Sequence, residues 1–185
     1  MRKVPEILSA KTVALTRLFR IERVGLRFSN GNEVEYERMP GSTTGAVLIV
    51  PVLPPDTALL IREYTAGTHR YELGLPKGRI ERGEDVLTAA NREMMEEVGY
   101  GARELLHLTT MTLAPGYLGH TTHIVLAEDL YEQRLPGDEP EEIEVVPWPL
   151  GDLTQLLARE DFTEARSIAS LFLVRDVLAA RQKVG

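Results

Sequence analysis

The 185-residue chain has no cysteine, no long unbroken apolar run and no excess of positive charge. Without cysteine, a disulfide framework and a thiolate zinc site are both excluded. The stretch GAVLIVPVLPP at 45–55 is broken by prolines and is shorter than the ~18–20 residues that cross a bilayer. The N-terminus MRKVPEILSA lacks the apolar segment of a secretory signal. We therefore expect a soluble, cytoplasmic protein that does not associate with membranes.

The charge balance is acidic, with 21 Lys and Arg against 28 Asp and Glu and a formal net charge of -7. Such a surface repels polyanions on average, which argues against general binding of DNA or RNA. A small phosphate ligand would need local help from arginines or bound cations. The length and the 43% hydrophobic content are typical of one globular domain with a small appendage.

Alternating residues between Thr12 and Arg38, on either side of Asn30-Gly31, predict two or three N-terminal strands with a tight turn. The segment 40–43 is the expected boundary. Beyond it, AVLIV and ALLIREY predict a second strand pair, whereas YELGLPKGRIERGE reads as a glycine-bearing loop.

A helix is expected from Val86 to Val98, with Asp85 as its N-cap and glycines 99 and 101 ending it. The runs ELLHLTTM, HTTHIVLAEDL and IEVVPW predict further strands. Two helices should close the chain, one from about Asp152 and one over 163–181. Strands before, around and after a central helix predict a mixed sheet with helices on its faces.

The central helix carries an unusual concentration of acid. At about 100° per residue, Glu93, Glu96 and Glu97 share one side of the helix and repel one another. Arg92 can pair with Glu96 but cannot neutralise all three. A magnesium ion could compensate, because it prefers carboxylate oxygens. The alternative is a solvated acidic face with intrahelical salt bridges.

The segment GRIERGEDVLTAANREMMEEVGY, residues 78–100, resembles the signature of the Nudix hydrolases. Every fixed position of the signature is present: Gly78, Glu84, Arg92, Glu93, Glu96, Glu97 and Gly99. Tyr100 stands where an aliphatic residue is usual, and Met94 fills the other apolar position. The surrounding LIREY, YELGLPKG, APGY, GDEPE and DFTEARSIASLFLVR resemble the bacterial ADP-compounds hydrolase subfamily.

The resemblance implies an α+β fold, an α/β/α sandwich with a mixed β-sheet between helices, plus an N-terminal antiparallel β segment. Residues 43–185 would form the Nudix hydrolase domain. Residues 1–42 would form a dimerisation element whose strands exchange or pack across the two-fold axis of a homodimer. A 40-residue segment too small to hold its own core is consistent with this.

The resemblance also implies a set of site residues. Glu93 and Glu97 would bind metal, Glu96 would assist as ligand and in catalysis, and the Lys77 carbonyl would add a ligand. Arg92 and Glu84 would orient these groups, while Gly78 and Gly99 allow the tight loop geometry. Two or three Mg²⁺ ions are expected, with Mn²⁺ or Zn²⁺ as possible substitutes.

Related hydrolases take a catalytic base from a loop outside the signature at residues 78–100, which we call the box. The acidic run 138–142 follows the box along the chain, as such a loop does in those relatives. We predict Glu139 as the base, with Glu141 as a competing base or an additional metal ligand. The other interpretation of the run is a solvated loop.

Three residues, Arg62, Arg70 and Tyr117, are candidates for substrate contact. Arg62 and Arg70 could contact phosphate through their guanidinium forks or could simply be surface residues. Pro115 and Tyr117 occupy places used by ADP-ribose-cleaving and diadenosine-polyphosphate-cleaving relatives, respectively. The expected activity is hydrolysis of the diphosphate in ADP-ribose, NADH or diadenosine polyphosphates, which releases AMP.

Other functions use the same motif. An RNA 5′-pyrophosphohydrolase and an isoprenoid-diphosphate isomerase are the nearest enzymatic alternatives, and charge argues against the RNA enzyme. A non-catalytic nucleotide-binding module should have lost box glutamates, and none is lost here. His120 and His123 are three residues apart in a predicted strand, so they should point to opposite faces and are interpreted as structural.

Overall fold

The computed structural model describes residues 2–42, 44–137 and 139–182. These form two compact units. The first consists of the described residues up to 42 together with 112–121, and the second of 44–111 with the described residues from 122 onward. Sequence reasoning did not place 112–121 with the N-terminal segment. Across the described ranges, no helix combines the length and the apolar character needed to span a membrane.

The first unit is built on a three-stranded antiparallel sheet. Its strands are β1 Glu6–Leu15, β2 Arg20–Arg27 and β3 Glu33–Arg38. The turn between β2 and β3 contains Gly31 at φ +85°, which is the positive φ that the Asn-Gly pair predicts. Strand β1 starts earlier than expected and is exposed along its whole length.

The second unit contains a mixed seven-stranded sheet, as predicted. Its strands are β4 Ala46–Leu53, β5 Thr57–Thr65, β6 Arg70–Gly74, β7 Lys77–Arg79, β8 Tyr100–Thr112, β9 Thr121–Glu132 and β10 Glu144–Pro149. The main order is β10-β5-β4-β9-β8, and β6 and β7 pair with β5 and β4. Strands β4 and β9 are parallel, whereas β4 is antiparallel to β5 and β7.

Helices cover both faces of this sheet. They are α1 Val86–Glu97, α2 Leu153–Leu157, preceded by a 3₁₀ turn at Leu150–Asp152, and α3 Ala165–Gln182. Strand β4 is buried on both sides: Val47 packs with Met94 of α1, and Leu48 packs with Leu171 of α3. Alternate residues of one strand therefore supply two cores. This confirms the expected α/β/α sandwich.

Two local predictions were wrong. The stretch read as a loop contains β6 and β7, which are short and glycine-bearing and exist because they pair with β5 and β4. Tertiary pairing, not intrinsic preference, makes them strands. Gly101 does not end the helix, since it lies in β8. The helix is ended by Gly99, which has φ +83° and donates its N–H to the Met94 carbonyl at 3.1 Å.

Candidate active site

The position of α1 is fixed at both ends. The Asp85 carboxylate accepts hydrogen bonds from the backbone N–H groups of Leu87 at 2.9 Å and Thr88 at 3.1 Å. This is the N-cap that the sequence predicts. The 12-residue helix is thus capped at its start and ended at Gly99. The carboxylates in its last two turns therefore have a defined position beside β7.

Arg92 forms hydrogen bonds with most of the charged groups around this helix. Its guanidinium forms a two-pronged interaction with Glu84, with both distances 2.9 Å. It also donates to Glu93 at 2.8 Å, to Glu96 at 3.1 Å and to the Arg79 carbonyl at 3.0 Å. The Arg92 guanidinium lowers the pKa of the Glu84 carboxyl. One arginine thus holds the loop before the helix and two helix carboxylates together.

Glu97 is a buried acid, with 4% of its surface exposed. Its carboxylate accepts the Lys77 backbone N–H at 2.8 Å. Burial raises the pKa of this carboxyl to about 8, although the Lys77 charge opposes the shift. The Lys77 ammonium is itself paired with Glu63 at 2.7 Å. A buried carboxylate of this kind is costly unless a positive group compensates it.

Glu93 rests directly on the backbone of β7. A methyl group at Gly78 would place its carbon 1.9 Å from the Glu93 carboxyl carbon, so any larger residue here would displace that carboxylate. Burial raises the pKa of Glu93, and Arg92 opposes the shift. The close approach brings the carboxylate to the strand that also carries Lys77.

These groups fit a divalent cation by their chemistry. The carboxylates of Glu93, Glu96 and Glu97 are oxygen donors of the kind that Mg²⁺ prefers. Arg92 offers one positive charge against these acids and Glu84. As the side chains stand, no three His, Asp or Glu groups in the described part of the chain are arranged to hold an ion. Arg92 instead holds two of the three helix carboxylates.

The acidic loop faces the same region. A cavity of about 430 Å³ is lined by Glu96 of α1 and by the loop residues Glu139, Glu141 and Glu142, among others. The Glu139 carboxylate folds over Gly137. The Tyr71 hydroxyl donates a hydrogen bond to Glu141. The structure therefore brings both predicted loop carboxylates to one cavity with a box glutamate; Asp138 lies outside the described residues.

The two predicted phosphate-contacting arginines have different surroundings. Arg62 pairs with Glu144 at 2.8 Å and with Asp161. Arg159 also pairs with Asp161. Hydrogen bonds from both arginines, with the larger contribution from Arg159, lower the pKa of the Asp161 carboxyl to about 2. Arg70 pairs with Glu72 at 2.7 Å and keeps 44% of its side chain exposed. Arg62 is thus part of an ion-pair network, whereas Arg70 is the more accessible of the two.

Tyr117 belongs to the first unit. It is 57% exposed, and its carbonyl accepts the Met39 N–H at 2.8 Å. Its N–H bonds to the Ala114 carbonyl at 3.1 Å, which makes the segment a turn. Its role in substrate contact stays a prediction.

Sequence reasoning missed several polar residues around the site. A cavity of about 220 Å³ opens beside the Lys77 side chain and is lined by Glu63, Glu72, Thr163 and Ser167, among others. The sequence motif predicts a role only for the Lys77 carbonyl, and no motif marks Glu63 of β5 or Glu72 of β6. Since β5 and β6 pair only in the folded chain, no local signal could have joined them.

Comparison with known proteins agrees with this geometry. Residues 42–171 match the NUDIX domain, and residues 5–38 match the NudE-type Nudix hydrolase N-terminal domain. The chain therefore belongs to the Nudix hydrolases, as its motif predicts. It is 49% identical to the ADP compounds hydrolase NudE of Escherichia coli (strain K12), over 97% of this chain and 96% of that protein.

Two further relatives give the same picture. The crystal structure of an ADP compounds hydrolase matches with a TM-score of 0.91 and 49% identity, covering 98% of this chain and 97% of the other. The ADP-ribose pyrophosphatase of Bacillus subtilis (strain 168) is 28% identical over 86% of this chain and 89% of its own length. The similarity therefore extends through both units.

Replacing Gly78 by alanine should disable the site without unfolding the protein. The added methyl group displaces the Glu93 carboxylate from β7, and we expect divalent-metal-dependent hydrolysis to fall by more than about 100-fold, beyond the loss typical of an outer-shell change. Gly151→Ala is the matched control, since its methyl group meets nothing within 4 Å. Steady-state hydrolysis and thermal melting measure the effect; equal activity in the two variants would contradict the close approach.

Proposed function

We propose that this protein hydrolyses the diphosphate linkage of ADP-containing compounds and releases AMP. The substrates we expect are ADP-ribose, NADH and diadenosine polyphosphates. The observation that carries the proposal is the complete box of carboxylates, with Glu97 buried against the Lys77 amide, in a chain half identical to an ADP compounds hydrolase. The box is intact, so a non-catalytic nucleotide-binding role has no support from the residues.

Nudix hydrolases generally depend on divalent metal, and we propose Mg²⁺ as the ion, in two or three copies, with Mn²⁺ or Zn²⁺ as possible substitutes. Glu93, Glu97, Glu96 and the Lys77 carbonyl would hold it. Bound there, a divalent ion supplies Lewis-acid polarisation of phosphoryl oxygens and a more acidic water. Arg92 and Glu84 orient the carboxylates through the ion pairs described above.

For the general base we propose Glu139, which would accept a proton from the attacking water. Glu139 and Glu141 line the same cavity as Glu96. The Glu141 carboxylate already accepts a hydrogen bond from the Tyr71 hydroxyl. Glu141 then remains the competing base or an additional metal ligand.

For substrate contact we propose Arg70 and Tyr117, which are both partly exposed. Arg62 has its guanidinium engaged by two acids and is better placed to hold β5, β10 and the 159–161 segment together. A bidentate arginine can serve phosphate only if its donors are available.

The metal proposal is tested by Glu97→Gln, which keeps the size of the side chain and removes its charge. We expect AMP release from ADP-ribose to fall by more than about 100-fold, and the thermal shift on adding Mg²⁺ to shrink. Without metal, the melting temperature should hold or rise, because a buried charge is gone. Glu160→Gln, at an exposed loop position, is the control. Near-normal turnover in Glu97→Gln would reject its metal role.

The base assignment is tested by comparing Glu139→Gln with Glu141→Gln. Loss of a general base costs roughly 10²–10⁴-fold, and we expect this loss in kcat for the first variant. The second should lose less than about 10-fold, while both keep their Mg²⁺-dependent thermal shift. The reverse ranking assigns the base to Glu141, and two small effects would exclude the loop as its source.

We also propose that the N-terminal strands, residues 1–42, form the contact of a homodimer. Most of the large apolar side chains exposed in the described residues belong to this unit, including Val4 at 82%, Ile7 at 56% and Leu15 at 74%. A concentration of exposed apolar side chains in one unit is consistent with a protein contact.

The dimer is tested by the paired change Ile7→Glu and Leu15→Glu, which puts charge on the apolar side chains of β1. We expect the sedimentation mass to change from that of a dimer to that of a monomer, because like charges would then face each other across the contact. Leu157→Glu, an apolar residue 42% exposed at the end of α2, should leave the mass unchanged. A wild-type protein that sediments as a monomer at micromolar concentration overturns the proposal.

A further inference from the structure

Two tyrosines form an exposed aromatic pair on β5 and β6. Tyr64 and Tyr71 are direct cross-strand partners, and their ring centroids are 6.0 Å apart at an interplanar angle of 69°. His69, in the turn between the two strands, lies edge-on to Tyr64, with ring centroids 5.9 Å apart. The two tyrosines keep 43% and 48% of their surface exposed. Neither ring belongs to the two buried cores of the second unit.

The pair borders the candidate active site. The Tyr71 hydroxyl donates a hydrogen bond to Glu141, which lines one cavity together with Glu139 and Glu96. All of these residues belong to the second unit. The aromatic rings therefore begin one side chain away from the carboxylates of that cavity.

Strand pairing alone does not account for this arrangement. Cross-strand aromatic pairs stabilise hairpins, and the contact between Tyr64 and Tyr71 is of this kind. A pair that served only the hairpin would need no partner in a distant loop, yet Tyr71 contacts Glu141, 70 residues further along the chain. Exposed aromatic rings beside a cavity are surfaces on which a flat ligand can stack.

The rings offer faces rather than hydrogen-bonding groups. The Tyr64 hydroxyl is engaged by His69 Nδ1 at 2.8 Å, and the Tyr71 hydroxyl is engaged by Glu141. Any nucleobase can stack on an aromatic face, because every base has a π-face. Strict selection of one base would instead need free donors and acceptors for its edge. The pair therefore suits the base that varies among ADP compounds better than the adenine that they share.

We propose that Tyr64 and Tyr71 stack against the base of the second nucleoside in dinucleotide substrates. The ligand is a flat ring such as the nicotinamide of NADH or the second adenine of a diadenosine polyphosphate. ADP-ribose has no base in its second half and gains nothing from the pair. This inference rests on the proposed hydrolysis of ADP compounds and adds the residues that favour dinucleotides.

The test compares kcat/KM for NADH with kcat/KM for ADP-ribose in the variant Tyr64→Ala. Stacking on one aromatic side chain changes affinity by about 5- to 150-fold, so we expect the ratio of NADH to ADP-ribose to fall by at least about 5-fold, mainly through KM. Tyr64→Phe keeps the ring and should keep the wild-type ratio. Leu106→Ala is the matched control, since Leu106 of β8 is a large side chain of similar exposure, at 44%.

Inhibition by the second product gives an independent measurement. Reduced nicotinamide mononucleotide and ribose 5-phosphate share a ribose and a phosphate and differ by the base. We expect the first compound to inhibit ADP-ribose hydrolysis by the wild type at least about 5-fold more tightly than the second, and this difference to vanish in Tyr64→Ala. Should Tyr64→Ala fail to fold, as judged by its thermal melt, Tyr64→Leu decides the question, because leucine keeps apolar bulk without a ring face.

The outcomes separate this inference from the proposed function. An unchanged substrate ratio in Tyr64→Ala, including an equal loss with both substrates, overturns the inference alone, and so does equal inhibition of the wild type by the two compounds. A wild type that releases no AMP from either substrate overturns the proposed function, and this inference with it.

Discussion

The burial of the Glu97 carboxylate is the constraint around which the site is organised. A negative charge with 4% exposure needs compensation, and the nearby cations are engaged elsewhere: Lys77 pairs with Glu63, and Arg92 pairs with Glu84, Glu93 and Glu96. The divalent ion proposed above would supply the missing positive charge from outside the chain. Capping by Asp85 and the bare backbone at Gly78 hold the carboxylates in position.

The same reasoning explains how an acidic protein can act on an anion. A formal charge of -7 repels phosphates at long range, and the arginines and lysine near the site are mostly paired with acids. Divalent cations bound at the carboxylates would reverse the sign of the local field without any change in the overall composition. The diphosphate would then be recognised only where the carboxylates gather.

Sequence patterns predicted those parts of the molecule that are encoded locally. The capped helix from Val86, the Asn-Gly turn and the apolar run of β4 each follow from residues close together in the chain. By contrast, β6 and β7 exist only through pairing with distant strands, and the contacts Lys77–Glu63, Tyr71–Glu141 and His107–His123 join separate elements. No periodicity or spacing rule reports such neighbours. The motif predicts which residues form the site, and the fold shows which of them meet.

The parallel pairing of β4 with β9 has a consequence for biosynthesis. Ala46 pairs with Thr122, so the whole box, residues 78–100, emerges from the ribosome before β9, the parallel partner of β4, has been made. The apolar layer beneath α1 includes Val125 and Ala127, which arrive later still. The carboxylate helix therefore cannot find its complete support until most of the chain has been translated.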